Sequence, residues 1–365
     1  MSGDVGVQTR RTAIEALVRI DTDDAYANLV TNAILDRSDL AERDRRFVTG
    51  LVYGTERMKR ACDHLVDRHR RGDVSARVKA ALRLGAFQLA FADVAAHASV
   101  DATVGASPRP ARGLVNAVLR RVASDVKAGI AWPSEGVQLS YPDWIVREYQ
   151  QFLGAERAPG ALAAMNVAAK THRRADGYVQ DLASQAIVEA VGAQPGERVL
   201  DLCAAPGGKA TGMAAGGASV VAADSSKSRI SLVADNAARL ELPVPALVAD
   251  GTAPPFGAGT FDRVLVDAPC SGLGVLRRRP DARWRIGADA PRRLARLQVR
   301  LLDAAAPLVA PGGLLAYSVC TLTVAETDDV VASLDLPAGF VHGDRVVLAP
   351  DDDRDGMFLA TFRRR

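Results

Sequence analysis

The sequence predicts an all-α helical bundle over residues 1–128, followed by an α/β domain built on a parallel sheet over residues 141–365. Three observations carry this. Apolar residues in the first part recur at helical spacing. Short apolar runs beyond residue 195 each end in an acidic or small polar residue, and helical stretches lie between several of them. A chain of 365 residues with 48% hydrophobic and 24% charged residues has material for a core in each of two domains.

In the first part Ile14, Leu17 and Val18 form one stripe, and Leu29, Ala33 and Ile34 a second. Leu82, Ala86, Leu89 and Ala90 form a third, and Val115, Val118, Leu119 and Val122 a fourth. Gly54, Gly72 and the run Gly105-Ala106-Ser107-Pro108 read as breaks between helices. No strand-like alternation interrupts them, so a bundle is the simplest architecture. Residues 129–140 lapse into Gly, Pro and polar residues and read as a linker. Helical text resumes at Asp143-Trp144 and runs to about Gly154.

The second part carries five apolar runs: Val199-Leu200-Asp201, Val220 to Asp224, Leu247 to Asp250, Val264 to Asp267 and Leu314 to Ser318. Helical stretches such as Ile230–Leu240 and Leu294–Val309 separate them. Strands that are apolar throughout belong to a parallel sheet covered on both faces, and such sheets bind ligands beyond the carboxyl ends of their strands. Four aspartates fall at those ends.

Composition excludes several classes. No run of about 18 uncharged apolar residues occurs, so no transmembrane helix is expected, and the N-terminus lacks the apolar stretch of a secretory signal. Cys62, Cys203, Cys270 and Cys320 form no CxxC pair and the five histidines do not gather near them. Neither a metal site nor a disulfide scaffold is expected, and a cytoplasmic location is. The net charge is only +3, with 40 of 46 basic residues Arg; residues 1–128 hold 21 Lys and Arg against 16 Asp and Glu. Such an excess is compatible with nucleic acid and does not demand it; a solvated helical surface is the usual fate of such charges.

The first strand runs into Cys203-Ala204-Ala205-Pro206-Gly207-Gly208-Lys209 and then a helix. Glycines there allow a tight turn with helix-terminal N–H groups facing a ligand. The spacing fits neither a P-loop nor a GxGxxG fingerprint. Asp224, ending the next strand 23 residues after Asp201, stands where an acid grips ribose hydroxyls. A purely structural turn would not require it. Cys270 follows the fourth strand and Cys320 the fifth. A lone cysteine after a strand is most often a small buried hydrophobe, but two at the ligand-binding ends of neighbouring strands are suited to adding a thiolate to an electron-poor carbon. Cys62 reads as core filler and Cys203 as a loop-shaping residue.

The segments DLCAAPGGKA, DAPCSGLGVLRRRPDARW and YSVCTLTVAE resemble the signature motifs of S-adenosylmethionine-dependent RNA cytosine-5 methyltransferases, and among them the Sun/RsmB (Fmu)-type bacterial ribosomal RNA enzymes. The N-terminal part resembles NusB through Arg43-Asp44-Arg45, Leu51 to Thr55, Leu82 to Ala86 and Val115 to Arg121. The likeness covers nearly the whole chain, to Asp355-Gly356-Met357-Phe358. It implies a NusB-like RNA-binding domain and a Rossmann-like class I methyltransferase domain. Cys203, Ala204, Ala205, Pro206, Gly207, Gly208 and Lys209 would form the cofactor loop. Asp224 would hold the ribose, Asp250 would lie near the adenine, and Asp267 near the methyl group and the base. Cys320 would be the nucleophile and Cys270 would aid product release. Arg277, Arg278, Arg279, Arg283 and Arg285 would form an RNA-backbone track. The implied partner is small-subunit ribosomal RNA, acted on by a monomer.

The chain departs from the family in one place. A substrate-facing subdomain ordinarily precedes the segment here at Gly177–Asp181, whereas only ten residues separate Asn166 from Gly177, so the lead-in over 141–195 is short. Two other readings therefore stand beside the enzyme: an RNA-binding ribosome-assembly adaptor with an inactive transferase domain, and a transfer-RNA cytosine-5 methyltransferase. A DNA cytosine methyltransferase fits less well, because its nucleophile is the Pro-Cys cysteine and Cys320 would have no duty.

Overall fold

The computed structural model describes residues 3–365. The chain forms two units. One comprises the residues up to Val146 together with Arg277–Arg285, and the other Arg147–Leu276 with Ile286–Arg365.

The first unit is helical: α1 (Gly3–Thr22), α2 (Ala27–Leu35), α3 (Glu42–Arg57), α4 (Lys59–Asp67), α5 (Ala76–Ala90), α6 (Ala96–Ala106), α7 (Arg112–Ala128) and α8 (Glu135–Gln138). The next helix, α9 (Asp143–Leu153), carries the chain out of it. Ile14 and Leu17 of α1 pack with Val48 and Val52 of α3 and Leu84 of α5. The opposite side of α5, Leu82 and Ala86, packs with Leu65 of α4 and Val115, Leu119 and Val122 of α7. Ser75 starts α5 by accepting the Val78 N–H at 3.4 Å, satisfying one otherwise orphaned helix donor. Arg83 is buried among these apolar residues because Asp63, at 2.5 and 2.7 Å, and Asp21 accept its guanidinium protons.

Two local expectations differ from the structure. Gly54 does not end a helix; it lies inside α3, where a Cβ would come 2.1 Å from the Phe87 ring, so its role is close helix approach. Leu29 is 61% exposed, and α2 turns Ala27, Val30, Thr31 and Ile34 inward instead.

The expected linker is also more than a linker. Residues 129–134 have no regular structure, but α8 follows, and the helical unit continues to Val146. The Ser140 hydroxyl accepts the Arg60 N–H at 3.0 Å, Tyr141 is fully buried, and the Arg60 guanidinium pairs with Asp143 at 2.6 Å.

Arg277–Arg285 belongs to this unit although it follows the fourth strand in sequence. Arg283 donates to the carbonyls of Arg57 (3.0 Å) and Ser140 (3.1 Å) and to the Tyr141 hydroxyl (3.1 Å), and stacks on the Tyr141 ring. Arg57 donates to the Arg277 carbonyl at 3.0 Å, and the Trp284 indole to the Glu56 carbonyl at 2.7 Å.

The second unit holds α10 (Ala158–Ala164), α11 (Leu182–Val191), β1 (Arg198–Asp201), α12 (Gly208–Ala215), β2 (Ser219–Asp224), α13 (Lys227–Arg239), β3 (Ala246–Val248), β4 (Phe261–Asp267), α14 (Ala290–Ala305), β5 (Val309–Val319), α15 (Asp328–Ala332), β6 (Phe340–Leu348) and β7 (Met357–Arg364). The sheet order is β3-β2-β1-β4-β5-β7-β6. The first five are parallel neighbours and are the five runs read from the sequence; β7 inserts antiparallel between β5 and β6. Among the described residues no helix is long and apolar enough to cross a membrane.

Replacing Arg283 with Ala removes the hydrogen bonds it donates to the Arg57 and Ser140 carbonyls and the Tyr141 hydroxyl in a buried site. We expect a loss of about 3 kcal/mol, read by urea denaturation followed at the helical signal.

Candidate active site

The strand order turns back between β1 and β4, and that is where an open parallel sheet forms a crevice at its carboxyl edge. Asp201 ends β1, opposite Ala222 of β2 and Leu265 of β4; Asp267 ends β4, opposite Ser318 of β5. The loop after β1 is pinned on both sides. Leu202 N–H donates to the Leu265 carbonyl and Ala204 N–H to the Ala223 carbonyl, both at 2.9 Å. Gly207 has φ 101°, and a Cβ there would sit 3.1 Å from Val233, so this turn into α12 requires glycine.

A tight hairpin supports the loop from the side where the chain is short. Arg173 and Val179 bridge, and the Arg174 N–H donates to the Tyr178 carbonyl at 2.9 Å. The Arg174 guanidinium stacks on Tyr178 and donates to the Gly208 carbonyl (2.6 Å), the Gln180 side chain (3.1 Å) and the Thr211 hydroxyl (3.2 Å). Arg174 and Gln180 thus fix the start of α12; only the Gly-Tyr-Val-Gln-Asp segment hinted at them in the sequence.

Three carboxylates gather at the crevice with different surroundings. Asp201 is buried, and no side-chain donor reaches its oxygens; the Ala210 backbone N–H is the one group that favours its charged form by hydrogen bonding. Burial, reinforced by the charge of Asp267, pushes its pKa up to about 7. Asp224 is also buried; it accepts N–H groups from Ser226 (3.0 Å) and Ala205 (3.3 Å), and Arg229 lies 3.4 Å away. Asp267 accepts the Lys209 ammonium at 2.6 Å. Burial pulls the Lys209 pKa down, but the charge and hydrogen bond of Asp267 outweigh it and hold the ammonium above its usual value. Asp250 is exposed beyond β3 and accepts the Thr252 N–H and hydroxyl at 2.9 and 2.8 Å, which lowers its pKa.

The structure brings the two late cysteines together. Cys270 Sγ and Cys320 Sγ are 3.3 Å apart as free thiols. The hydrogen bond from Cys270 holds the Cys320 thiol below its ordinary pKa against the effect of burial; the same bond, with burial, raises Cys270. Their loops are stitched by Gly274, whose N–H donates to the Cys320 carbonyl (3.0 Å) and whose carbonyl accepts the Gly356 N–H (2.8 Å). Cys203 is partly buried in the first loop, where burial raises its thiol pKa. Cys62 is fully buried in α4.

The expected arginine track does not lie together on a surface. Arg277 and Arg283 are buried within the helical unit, at 2% and 0% exposure, because neighbouring carbonyls and an aromatic ring take up their side chains and main chain. Arg285 stacks on Tyr26 and pairs with Asp24 at 3.4 Å. Arg278 and Arg279 are exposed. Among the described residues no cluster of three or more His, Cys, Asp or Glu side chains could hold a metal ion.

Residues 188–336 match the family described as 16S rRNA methyltransferase RsmB/F, and residues 7–124 match the NusB family. The chain is 37% identical to "Ribosomal RNA small subunit methyltransferase B" of Thermus thermophilus over 352 residues, covering 88% of this chain and 86% of that protein. This chain belongs to the RsmB/F family of 16S rRNA methyltransferases. It is also 35% identical to "Putative methyltransferase Rv1407" of Mycobacterium tuberculosis, with 97% of this chain and 96% of that protein covered. That alignment spans 447 positions against 365 residues here, so the relative carries residues that this RsmB/F member lacks. The solved structure "Crystal Structure of PH0851" superposes with a TM-score of 0.76 over 98% of this chain and 99% of that one; at 21% identity it speaks for the fold alone.

In this RsmB/F chain a Cβ at Gly274 would lie 2.2 Å from the Gly356 carbonyl oxygen and 2.9 Å from that of Cys320, both backbone atoms. Gly274→Ala is therefore expected to lower stability by about 1–3 kcal/mol and to slow alkylation of Cys320 by iodoacetamide. Chemical denaturation and peptide mass spectrometry check the two effects.

Proposed function

We propose that this chain transfers a methyl group from S-adenosylmethionine to C5 of cytosine in small-subunit ribosomal RNA, through a covalent bond between Cys320 and C6. The observation that carries the reading is the thiol pair: two cysteines 3.3 Å apart beyond neighbouring strands, with Cys320 the more acidic. An adaptor needs neither thiol.

The crevice fits the cofactor chemically. S-adenosylmethionine is cationic at its sulfonium and ammonium groups, and a buried carboxyl without a side-chain donor, Asp201, stands beside Asp224 and Asp267. The loop Cys203–Lys209 would hold the amino-acid end, Asp224 the ribose hydroxyls, and Asp250 would lie near the adenine. The cofactor supplies a methyl group activated on sulfur.

Cytosine C5 is a poor nucleophile while the ring is aromatic. The Cys320 thiolate attacks C6, the ring electrons move to C5, and C5 gains enamine character and takes the methyl group. Asp267, held by Lys209, would accept a hydrogen bond from N3 of the base once that nitrogen carries a proton. A base then removes the C5 proton, the C5–C6 double bond re-forms, and the Cys320 sulfur leaves. Cys270 adjoins that sulfur and can protonate it as the product departs. The target base must leave its stack to reach the crevice. The short 166–177 segment makes RNA docking the step most open to change.

The decisive assay incubates the full chain with S-adenosylmethionine and unmodified small-subunit ribosomal RNA and reads 5-methylcytidine by nucleoside mass spectrometry. Methylation of transfer RNA alone would move the acceptor; no methylation of either RNA, with S-adenosylhomocysteine still bound, would favour the adaptor.

Cys320→Ala is expected to abolish turnover with cofactor binding intact, whereas Cys270→Ala should trap protein covalently on RNA, visible as a shifted band in a denaturing gel. Turnover is expected to rise with pH through a midpoint below that of an ordinary thiol, since the nucleophile is the deprotonated form and the hydrogen bond from Cys270 lowers its pKa. A profile flat across that range would assign the rate to another group.

A further inference from the structure

Glu326 lies in the helical turn Val324–Glu326 after β5, six residues beyond Cys320, and its side chain is wholly buried. One carboxylate oxygen accepts the Ser271 backbone N–H at 2.8 Å and the Gln298 amide at 3.1 Å. The other accepts the Ser271 hydroxyl and the Thr323 hydroxyl, the latter at 3.3 Å. Ser271 adjoins Cys270, and its hydroxyl also lies 3.0 Å from that of Thr321, which adjoins Cys320. Gln298, on α14, donates its second amide proton to the Pro269 carbonyl at 2.9 Å. The Tyr317 hydroxyl sits between Gln298 Oε1 (2.9 Å) and the Glu326 carbonyl (2.6 Å).

Apolar packing would fill this space at less cost. A buried carboxylate is retained against desolvation only where donors converge on it. Here four donors converge, two of them from the residue beside Cys270. Burial raises the Glu326 pKa, opposed by these hydrogen bonds.

We propose that Glu326 is a positioning residue which, by fastening Ser271 to the loop after β5, fixes the hydrogen bond between the Cys270 and Cys320 thiols. This rests on the reading of Cys320 as the nucleophile. The groups acting on Cys320 are Cys270, Asp267, Lys209 and Glu326. The negative charge of Glu326 by itself disfavours the Cys320 thiolate, so removing only that charge would make Cys320 more acidic. Losing the Cys270 hydrogen bond makes it less acidic. The two roles differ in sign.

The test needs no RNA. The full chain is alkylated with iodoacetamide across pH 6 to 10, and modification at Cys320 is followed by peptide mass spectrometry in wild type, Glu326→Leu, Glu326→Gln and Ser271→Ala. In Glu326→Leu we expect an upward shift of about one pH unit, which is about a tenfold slower reaction at neutral pH. Glu326→Gln should restore most of the rate, and Ser271→Ala should give a smaller upward shift. A downward or absent shift in Glu326→Leu, with an unaltered melting transition, overturns the proposal. Should that variant fail to fold, Ser271→Ala decides: an unshifted midpoint there overturns it. Absence of RNA methylation by the wild type leaves this thiol titration unchanged, so the two failures are separable.

Discussion

Parallel pairing of β4 with β5 sets the site before any side chain is considered. Adjacent strands run about 4.8 Å apart, and Asp267 stands opposite Ser318. Each chain then needs only a few residues to present a sulfur, and the two meet at 3.3 Å. Loops leaving strand ends diverge unless held. Gly274 ties them through the main chain, in a gap too narrow for any Cβ, and Glu326 ties them through the backbone N–H and hydroxyl of Ser271. Geometry that is tight on both sides of the thiols makes their mutual hydrogen bond a fixed property of the fold.

The electrostatics follow from the same edge. Parallel strands ending together bring Asp201, Asp224 and Asp267 into one crevice, where Lys209 and Arg229 are their cationic partners. Lys209 commits to Asp267, and Asp224 is satisfied by backbone N–H groups and Arg229. Asp201 is left without a side-chain donor, and its pKa is driven toward neutrality by burial and by its neighbours. A crevice with surplus negative charge suits a cationic ligand; it would repel a nucleoside triphosphate.

The legible parts of the chain were those whose signal is local. The strands β1 to β5 are apolar runs closed by polar residues, and the loop Cys203–Lys209 and the two cysteines sit at their ends, so pattern alone placed these segments along the sheet edge. The last two strands escaped because β6 and β7 form an antiparallel pair with no helical crossover, and much of β6 is exposed. Gly54 looked like a helix break because its true reason, the Phe87 ring, is distant in sequence. The arginine run was misread for a similar reason: carbonyls from Arg57 and Ser140 decide where Arg283 goes. Glu326 was present in the motif as a letter, but its meaning needs Ser271, Gln298 and Thr323 around it.

The course of the chain through the helical unit bears on how the protein is made. Synthesis runs from the N-terminus, and domains ordinarily fold as they emerge. Here the residues up to Val146 emerge without Arg277–Arg285, which complete their unit. Between them come α10 through α13 and the strands β1 to β4. The helical unit therefore reaches its final form only after more than half of the sheet has been translated. A split of this polypeptide into two genes at residue 146 would separate Arg283 from the carbonyls and tyrosine that hold it.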